Sequence, residues 1–391
     1  MKILIDYRPA LRQRTGTGEY VYQLVRALTT EIGLSTPEGD IPLSSKTGTP
    51  TDNTVKLFSS SWRDRLKHNE ITGLTTIDKR VPVSLLNLLW HRFEWPPVEL
   101  LTGERFDVVH SAHPMMLPSN NAASVITIHD LYFFLHPEHT QAEIRRDYSA
   151  LIRSHAERAD TILVPSEYTA QEVKRLLDIP TTRISICPHG APSWPARKNW
   201  PDEGHILFLG TLEPRKNVGT LLKSYSSLLK QRRDTPHLVL GGSATPSAKS
   251  WLESLKRPPL LNHAQHIGYV PEHDRHALYK NAKLLVLPSF DEGFGLPVLE
   301  AMTVGVPVVA ANRGALPSLL GDAGLLVNPS DDTELTAAME RMLFDKDLIQ
   351  KSVSRGHELA RQYTWSAAAK ASLSAYTQAI DNQKTRSIAS P

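Results

Sequence analysis

One unit recurs along this chain: a short apolar run followed by residues at helical spacing. MKILIDYRP opens it, and FDVVHS (106–111), SVITIHD (124–130) and TILVPS (161–166) continue it. After the first run, Tyr20, Leu24 and Leu28 fall on one helical face. HAERADTILVPSEYTAQEVKRLL is a complete helix–strand–helix cycle, with Ser166 placed as a helix cap. At 191–203, APSWPARKNWPDE carries three prolines and no periodicity. The cycle then restarts with HILFLGTL (205–212), HLVLGG (237–242), AQHIGYV (264–270), KLLVLPS (283–289), VPVVAA (306–311) and GLLVNP (324–329). Strands alternating with helices specify a parallel sheet covered on both faces.

At 391 residues the chain is too long for one ordinary core. The expected architecture is therefore α/β, with two Rossmann-like, doubly wound domains in series. The first spans 1–190, 191–203 is a linker, and the second spans 204–362. A last helix, about 363–380, returns to the first domain and leaves 381–391 as a flexible tail. Residues 35–56, rich in Pro, Ser, Thr and Gly, read as a mobile surface loop. Ligands of such sheets sit outside the carboxyl ends of the strands, so two facing sheets would form an interdomain cleft.

Composition removes several function classes. Hydrophobic residues at 40 % and charged residues at 22 % match a soluble globular protein. MKILIDYRPA lacks the apolar core of a secretory signal. No stretch reaches the roughly 18 apolar residues a bilayer span needs. Cys187 stands alone and forbids internal disulfides, which fits a reducing, cytoplasmic setting. A net charge of +3 gives no case for nucleic-acid binding. The clusters Arg63–Arg65–Lys67, Lys79–Arg80 and Arg145–Arg146 read as solvated helix faces. SLLNLLWHRFEWPP (84–97) has two readings: a buried helix with an aromatic edge, or a helix that dips into a membrane interface at the inner surface.

The chemistry concentrates in LLVLPSFDEGFGLPVLEAMTVGVPVV, read as strand, loop, short helix and strand. Glu292 lies in the loop and Glu300 in the first helical turn, with Pro297 at the first helical position and Gly305 at the exit. Gly293 and Gly295 permit close backbone approach, and their N–H groups with the helix N-terminus suit an anion. Glu300 can accept from a vicinal diol such as a ribose. Taken as an isolated pair, the two glutamates read as a surface loop residue and a dipole-favoured first-turn residue; the Gly-Phe-Gly-Leu-Pro insert and the strand-end location reverse that reading. In FLGTLEPRKN, Arg215 and Lys216 follow a strand end, where adjacent cations either neutralise a diphosphate or stand solvated. GTGEY is no dinucleotide fingerprint, because Val21 stands three residues past Gly18 where a third glycine is required.

The combination Glu-x7-Glu with Gly-Phe-Gly-Leu-Pro between, GTLEPRKN, GTGEY, the His129–Asp130 pair, VPSEYTAQEV, PHG (188–190) and GALPSLLGDAGLLVNPSD resembles the retaining glycosyltransferases of family 4 (group 1). The resemblance covers nearly the whole chain and implies the GT-B fold. It points most toward the mannosyltransferase-type branch, which uses GDP-mannose in preference to UDP-sugars. It also implies transfer of a hexosyl unit to a hydroxyl of a glycan or lipid-linked acceptor. By resemblance, Glu292, His129, Arg215 and Lys216 are catalytic. Glu292 holds the sugar's 3- and 4-hydroxyls, and Arg215 and Lys216 bind the donor pyrophosphate. His129 contacts the sugar near its 6-hydroxyl and lends its carbonyl to the reaction centre. Gly16 and Gly18 form an N-domain loop for the donor phosphates. Gly210, Tyr269, Val270, Gly293, Phe294, Gly295, Leu296 and Glu300 complete the donor site.

No cofactor beyond the sugar nucleotide is expected, and no metal. Asp345-Lys346-Asp347 matches an Asp-x-Asp metal motif in form, but Asp345 reads as a cap between helices. Asp130 reads as a loop cap, Asn217 as a helix cap and His189 as structural. Two other functions stay open: a GT-B sugar-nucleotide epimerase, and a catalytically silent sugar-nucleotide-binding protein.

Overall fold

A computed structural model describes residues 1–11, 14, 16–33, 53–66, 71, 73–136 and 148–389. They form two compact units. One holds Met1–Phe134, Thr140–Gly190 and Trp365–Pro391; the other holds Leu135–His139 and Ala191–Thr364.

The first unit is a seven-stranded parallel sheet. Its strands are β1 (Lys2–Asp6), β2 (Thr54–Ser60), β3 (Thr75–Lys79), β4 (Val108–Ser111), β5 (Ala123–Thr127), β6 (Thr161–Val164) and β7 (Ile184–Ile186), in the order β3-β2-β1-β4-β5-β6-β7. Register pairs Ile3 with both Val55 and Val108. Ile3, Leu4 and Ile5 are fully buried, as a central parallel strand covered on both faces requires. The second unit is a six-stranded parallel sheet: β8 (His205–Leu209), β9 (His237–Gly241), β10 (Ala264–Gly268), β11 (Ala282–Leu287), β12 (Val308–Ala311) and β13 (Leu325–Val327), in the order β10-β9-β8-β11-β12-β13. Every later apolar run of the sequence is one of these strands.

Several local expectations change. The 35–56 loop falls mostly outside the described residues, and its end begins β2. Strands β3 and β7 were not anticipated, because neither carries a sustained apolar run and both sit at a sheet edge. Residues 191–203 belong to the second unit, where the Arg197 N–H donates to the Val304 carbonyl (3.0 Å). The last helix runs from Trp365 to Ala389, past the expected end at 380. Its extension is held by side chains: Asn382 donates to the Asp160 carbonyl (2.9 Å) and Arg386 to that of Arg158 (2.6 Å). The Ser166 hydroxyl caps the Glu167–Leu177 helix through the Thr169 N–H (3.1 Å), and Asp345 caps the Lys346–Ala360 helix through the Leu348 N–H (3.1 Å). No described helix is long and apolar enough to cross a membrane.

Candidate active site

In the second unit, β8 and β11 are neighbours from which the strand order departs in opposite directions. Such a switch point leaves a crevice at the carboxyl ends, where ligands of open α/β sheets bind. Arg215 and Lys216 follow β8, and Glu292 follows β11, so adjacent strands deliver both halves of one charged cluster. The Phe290 N–H donates to the Arg215 carbonyl (2.8 Å) and fastens the two loops together.

Lys216 Nζ donates to Glu292 Oε1 at 2.5 Å, and the Ser289 hydroxyl donates to the same oxygen at 2.7 Å. Arg215 Nη1 lies 3.6 Å from Glu292 Oε2 and donates to the Asp291 carbonyl (3.2 Å). Glu213 Oε1 accepts from Arg215 Nε and Nη2, at 3.2 and 3.0 Å, fixing the plane of the guanidinium. Burial raises the Glu292 pKa, but the charges of Lys216 and Arg215 and the hydrogen bonds from Lys216 and Ser289 outweigh it. The carboxyl is held below its usual range and stays ionised. Asn217 stands at the start of the Val218–Gln231 helix without capping it. Its amide instead donates to the Pro288 and Pro329 carbonyls, at 3.1 and 2.7 Å.

The helix after Glu292 is Leu296–Val304, with Gly295 before it and Gly305 after it, both left-handed. Glu300 is therefore in its second turn, not its first; the helix starts one residue before Pro297. Its carboxylate is buried and held by Arg275 Nη1 (2.8 Å) and the Tyr279 hydroxyl (2.8 Å), neither of which the sequence motif includes. The Phe294 and Val270 side chains belong to the apolar core, so anything they offer a ligand comes from backbone. Leu296 packs against that core, Tyr269 is partly exposed after β10, and Gly210 follows β8 within 3.6 Å (as a built Cβ) of Lys216 Cε.

In the first unit the switch lies between β1 and β4. Here Asp6, ending β1, takes Arg8 Nη2 at 2.7 Å and His113 Nε2 at 3.2 Å. Burial would raise the Asp6 pKa, but Arg8 and His113 drive it well below the carboxylate range. His129 lies past β5, its Nε2 donating to the Ala112 carbonyl (3.1 Å) and its ring edge-on to Tyr20 at 4.8 Å. Burial lowers its pKa to about 4, so the ring is neutral at pH 7. Its own carbonyl accepts from the Thr169 hydroxyl (3.4 Å). Asp130 caps its loop through the Tyr132 N–H (3.2 Å). His189 stacks between Tyr20 (4.8 Å) and Trp365 (5.9 Å). GTGEY does not form a loop: Gly16 opens the Gly16–Glu31 helix and Gly18 lies in its first turn. A Cβ at Gly18 would sit 2.6 Å from the Pro9 carbonyl oxygen, so helix packing alone demands glycine there.

Asp6, Arg8, His113, Glu213, Ser289, Arg275 and Tyr279 were missed as site neighbours. The signal available for Asp6 and His113 was their place at or just past strand ends, and Glu213 and Ser289 lie within the two quoted motif segments; Arg8, Arg275 and Tyr279 lie in segments with no distinguishing pattern.

The family model described as "Glycosyl transferases group 1" matches residues 192–359, and that described as "Glycosyltransferase Family 4" matches 51–193. The O-antigen chain mannosyltransferase B of Escherichia coli is 32 % identical over 69 % of this chain and 74 % of its own length. The serotype-specific mannosyltransferase WbdA of Escherichia coli is 28 % identical over 71 % of the chain, which spans only 36 % of WbdA. Among solved structures, sucrose-phosphate synthase from Thermosynechococcus elongatus superposes with a TM-score of 0.74 at 21 % identity, covering 96 % of this chain and 98 % of that one. WaaG, a glycosyltransferase involved in lipopolysaccharide biosynthesis, gives 0.69 at 14 % identity, covering 95 % and 98 %. With both units built as parallel α/β sheets, the chain belongs to the family 4, group 1 glycosyltransferases of GT-B fold, near their mannosyltransferase branch.

Proposed function

We propose that this protein is a retaining hexosyltransferase that moves mannose from GDP-mannose to a hydroxyl of a glycan or lipid-linked acceptor. The observation that carries the reading is the Lys216–Glu292–Arg215 cluster at the switch point of the second sheet. A diphosphate leaving group needs fixed cations beside it, and Arg215 and Lys216 are fixed there by Glu213 and Glu292. Glu292 is clamped by two cations and a hydroxyl, which makes it a poor nucleophile. It acts instead by orienting the sugar's hydroxyls, and the departing diphosphate takes the acceptor proton. Glu300, held by Arg275 and Tyr279, presents a fixed carboxylate to the ribose. Neutral His129 offers its Nδ1 to a sugar hydroxyl. The reaction runs without a divalent metal, and the enzyme works on the cytoplasmic side.

Mannose is favoured by the mannosyltransferase relatives, and GDP follows only from the resemblance of the sequence motifs to that branch. A thermal-shift panel of GDP, UDP, ADP and their sugars tests the donor: stabilisation by GDP and GDP-mannose is expected, and a response to UDP alone defeats it. A time course of GDP release with and without acceptor glycans separates transfer from epimerisation and from silent binding. Activity lost in excess chelator and restored by magnesium or manganese would overturn the metal-free step.

A further inference from the structure

Between residues 284 and 295, through β11 and the turn that carries Glu292, every residue is buried except one. Phe290 stands 41 % exposed between the fully buried Ser289 and the buried Asp291. Phenylalanine is among the residues most often found inside, so an exposed one in a turn this tightly buried calls for a reason. Its backbone is fixed, because its N–H donates to the Arg215 carbonyl (2.8 Å). A second exposed group reaches the same turn from the β12 side. Gly314 packs on the Glu292 peptide, and a Cβ built on it would stand 3.1 Å from Asp291 Oδ1. Asn312 and Arg313, just before that glycine, are exposed. Arg313 Nη1 donates to the Asn312 carbonyl (3.2 Å), and among the described residues the guanidinium forms no ion pair. An aromatic ring on the Arg215 side and a guanidinium on the β12 side thus bracket the turn of Glu292.

We propose that Phe290 and Arg313 form a subsite on the second unit for a pyranose ring of the acceptor glycan. The ring of such a sugar has an apolar C–H face that packs on an aromatic side chain, and hydroxyls at its edge that accept from a guanidinium. A ligand site built this way combines an apolar contact with a few placed polar groups. Charge selects a neutral sugar over an anion. The Asp291 carboxylate lies against the same Gly314 turn that carries Arg313, so the positive charge there is matched locally. Arg215 and Lys216, the cations that suit a diphosphate, sit on the other side of Glu292, after β8. Neither Phe290 nor Arg313 is among the donor-site residues read from the sequence. The inference rests on the reading of the protein as a transferase to a glycan hydroxyl, and it assigns part of acceptor selection to the unit that holds the donor cluster.

The test uses the full chain with α-linked mannotriose as the acceptor probe and GDP in the donor site. Saturation-transfer NMR should show mannotriose held through its ring protons. Phe290→Ala should weaken mannotriose binding about tenfold, and Phe290→Tyr, which keeps the aromatic face, should restore it. Arg313→Ala should weaken it about fivefold, through loss of hydrogen bonds from a charged donor. With GDP-mannose as donor, the same variants should raise KM for mannotriose by similar factors while GDP affinity and melting temperature hold. If Phe290→Ala misfolds, Arg313→Ala decides alone. Mannotriose that does not bind the wild type, or that binds both alanine variants as tightly, would overturn the proposal. An equal loss of GDP affinity would also overturn it, since the ring would then serve the donor. Failure of the donor reading shows elsewhere, as a missing GDP response in a thermal-shift panel run without mannotriose.

Discussion

Glu292 and Glu213 together match Arg215 and Lys216 in charge before any donor arrives. On the proposed function, a diphosphate entering this cluster would share its cations with the Glu292 carboxylate, which would repel it and ease release of the nucleotide diphosphate, at some cost in affinity. Glu292→Gln keeps the shape and an acceptor for Lys216 and Ser289 but removes the charge. Nucleoside diphosphate should bind up to about tenfold more tightly to this variant, from loss of a like charge across a few ångströms. Its kcat should fall by at least about a hundredfold, because a neutral amide holds the sugar hydroxyls less strongly. Titration calorimetry paired with a rate assay checks both; weaker diphosphate binding to Glu292→Gln would show that the carboxylate does not compete. Glu292→Ala should likewise lose kcat while still binding the diphosphate. Arg215→Ala should weaken binding by about 1.5–3 kcal/mol, the worth of a charge-assisted hydrogen bond.

The loop that carries Glu292 is held from behind by the turn after β12. The Ala315 N–H donates to the Glu292 carbonyl (2.8 Å), and Gly314, at φ +62°, packs directly on the Glu292 peptide. A Cβ on Gly314 would stand 2.6 Å from the Glu292 carbonyl oxygen and 2.7 Å from its nitrogen, both backbone atoms that cannot rotate away. Gly314→Ala should therefore push the whole DEGFG turn off Lys216. We expect a stability cost of about 1–3 kcal/mol from the left-handed backbone and a larger fractional loss of kcat than of folded protein. Full activity with an unchanged melting temperature would remove this turn from the site. The strand–helix alternation made these elements legible in the sequence, because parallel strands buried on both faces must be nearly continuous apolar runs. Arg215, Lys216 and Glu292 were legible as well, since each follows such a run. What stayed hidden depends on contacts distant in sequence. Gly314 answers to the backbone of Glu292, Arg275 and Tyr279 answer to Glu300, and β3 is an edge strand whose exposure erases the apolar signal. GTGEY misled for a local reason: two glycines suggested a loop, whereas Gly18 serves close packing within a helix.

At the scale of the whole molecule, the first unit closes around neutral histidines. His110 bridges the last helix to the sheet, through the Tyr376 hydroxyl (2.8 Å) and the Thr127 hydroxyl (2.8 Å). Burial lowers its pKa to about 3, lowers that of His155 to about 4, and drives that of His189 well below the ordinary value of 6.5. Unfolded, all three would take a proton below about 6.5; folded, they do not until far lower pH. The stability they contribute is thus complete above pH 6.5 and drains away as pH falls from 6.5 toward 4. The slope approaches about 1.4 kcal/mol per pH unit for each histidine. The depressed carboxyls, Asp6 and Glu292, lose their contribution in a lower window that opens at the ordinary carboxylate value of about 4 and runs down through their folded values. Urea midpoints measured at pH 7.5 and 5.5 should therefore differ, with deuterium uptake at pH 5.5 rising first in peptides from β4, β5 and the last helix. His110→Gln, which keeps two hydrogen-bonding atoms without a titrating ring, should flatten the slope by about one histidine's share. Equal midpoints at the two pH values, or earlier exchange in residues 205–360, would mean that acid opens the molecule elsewhere.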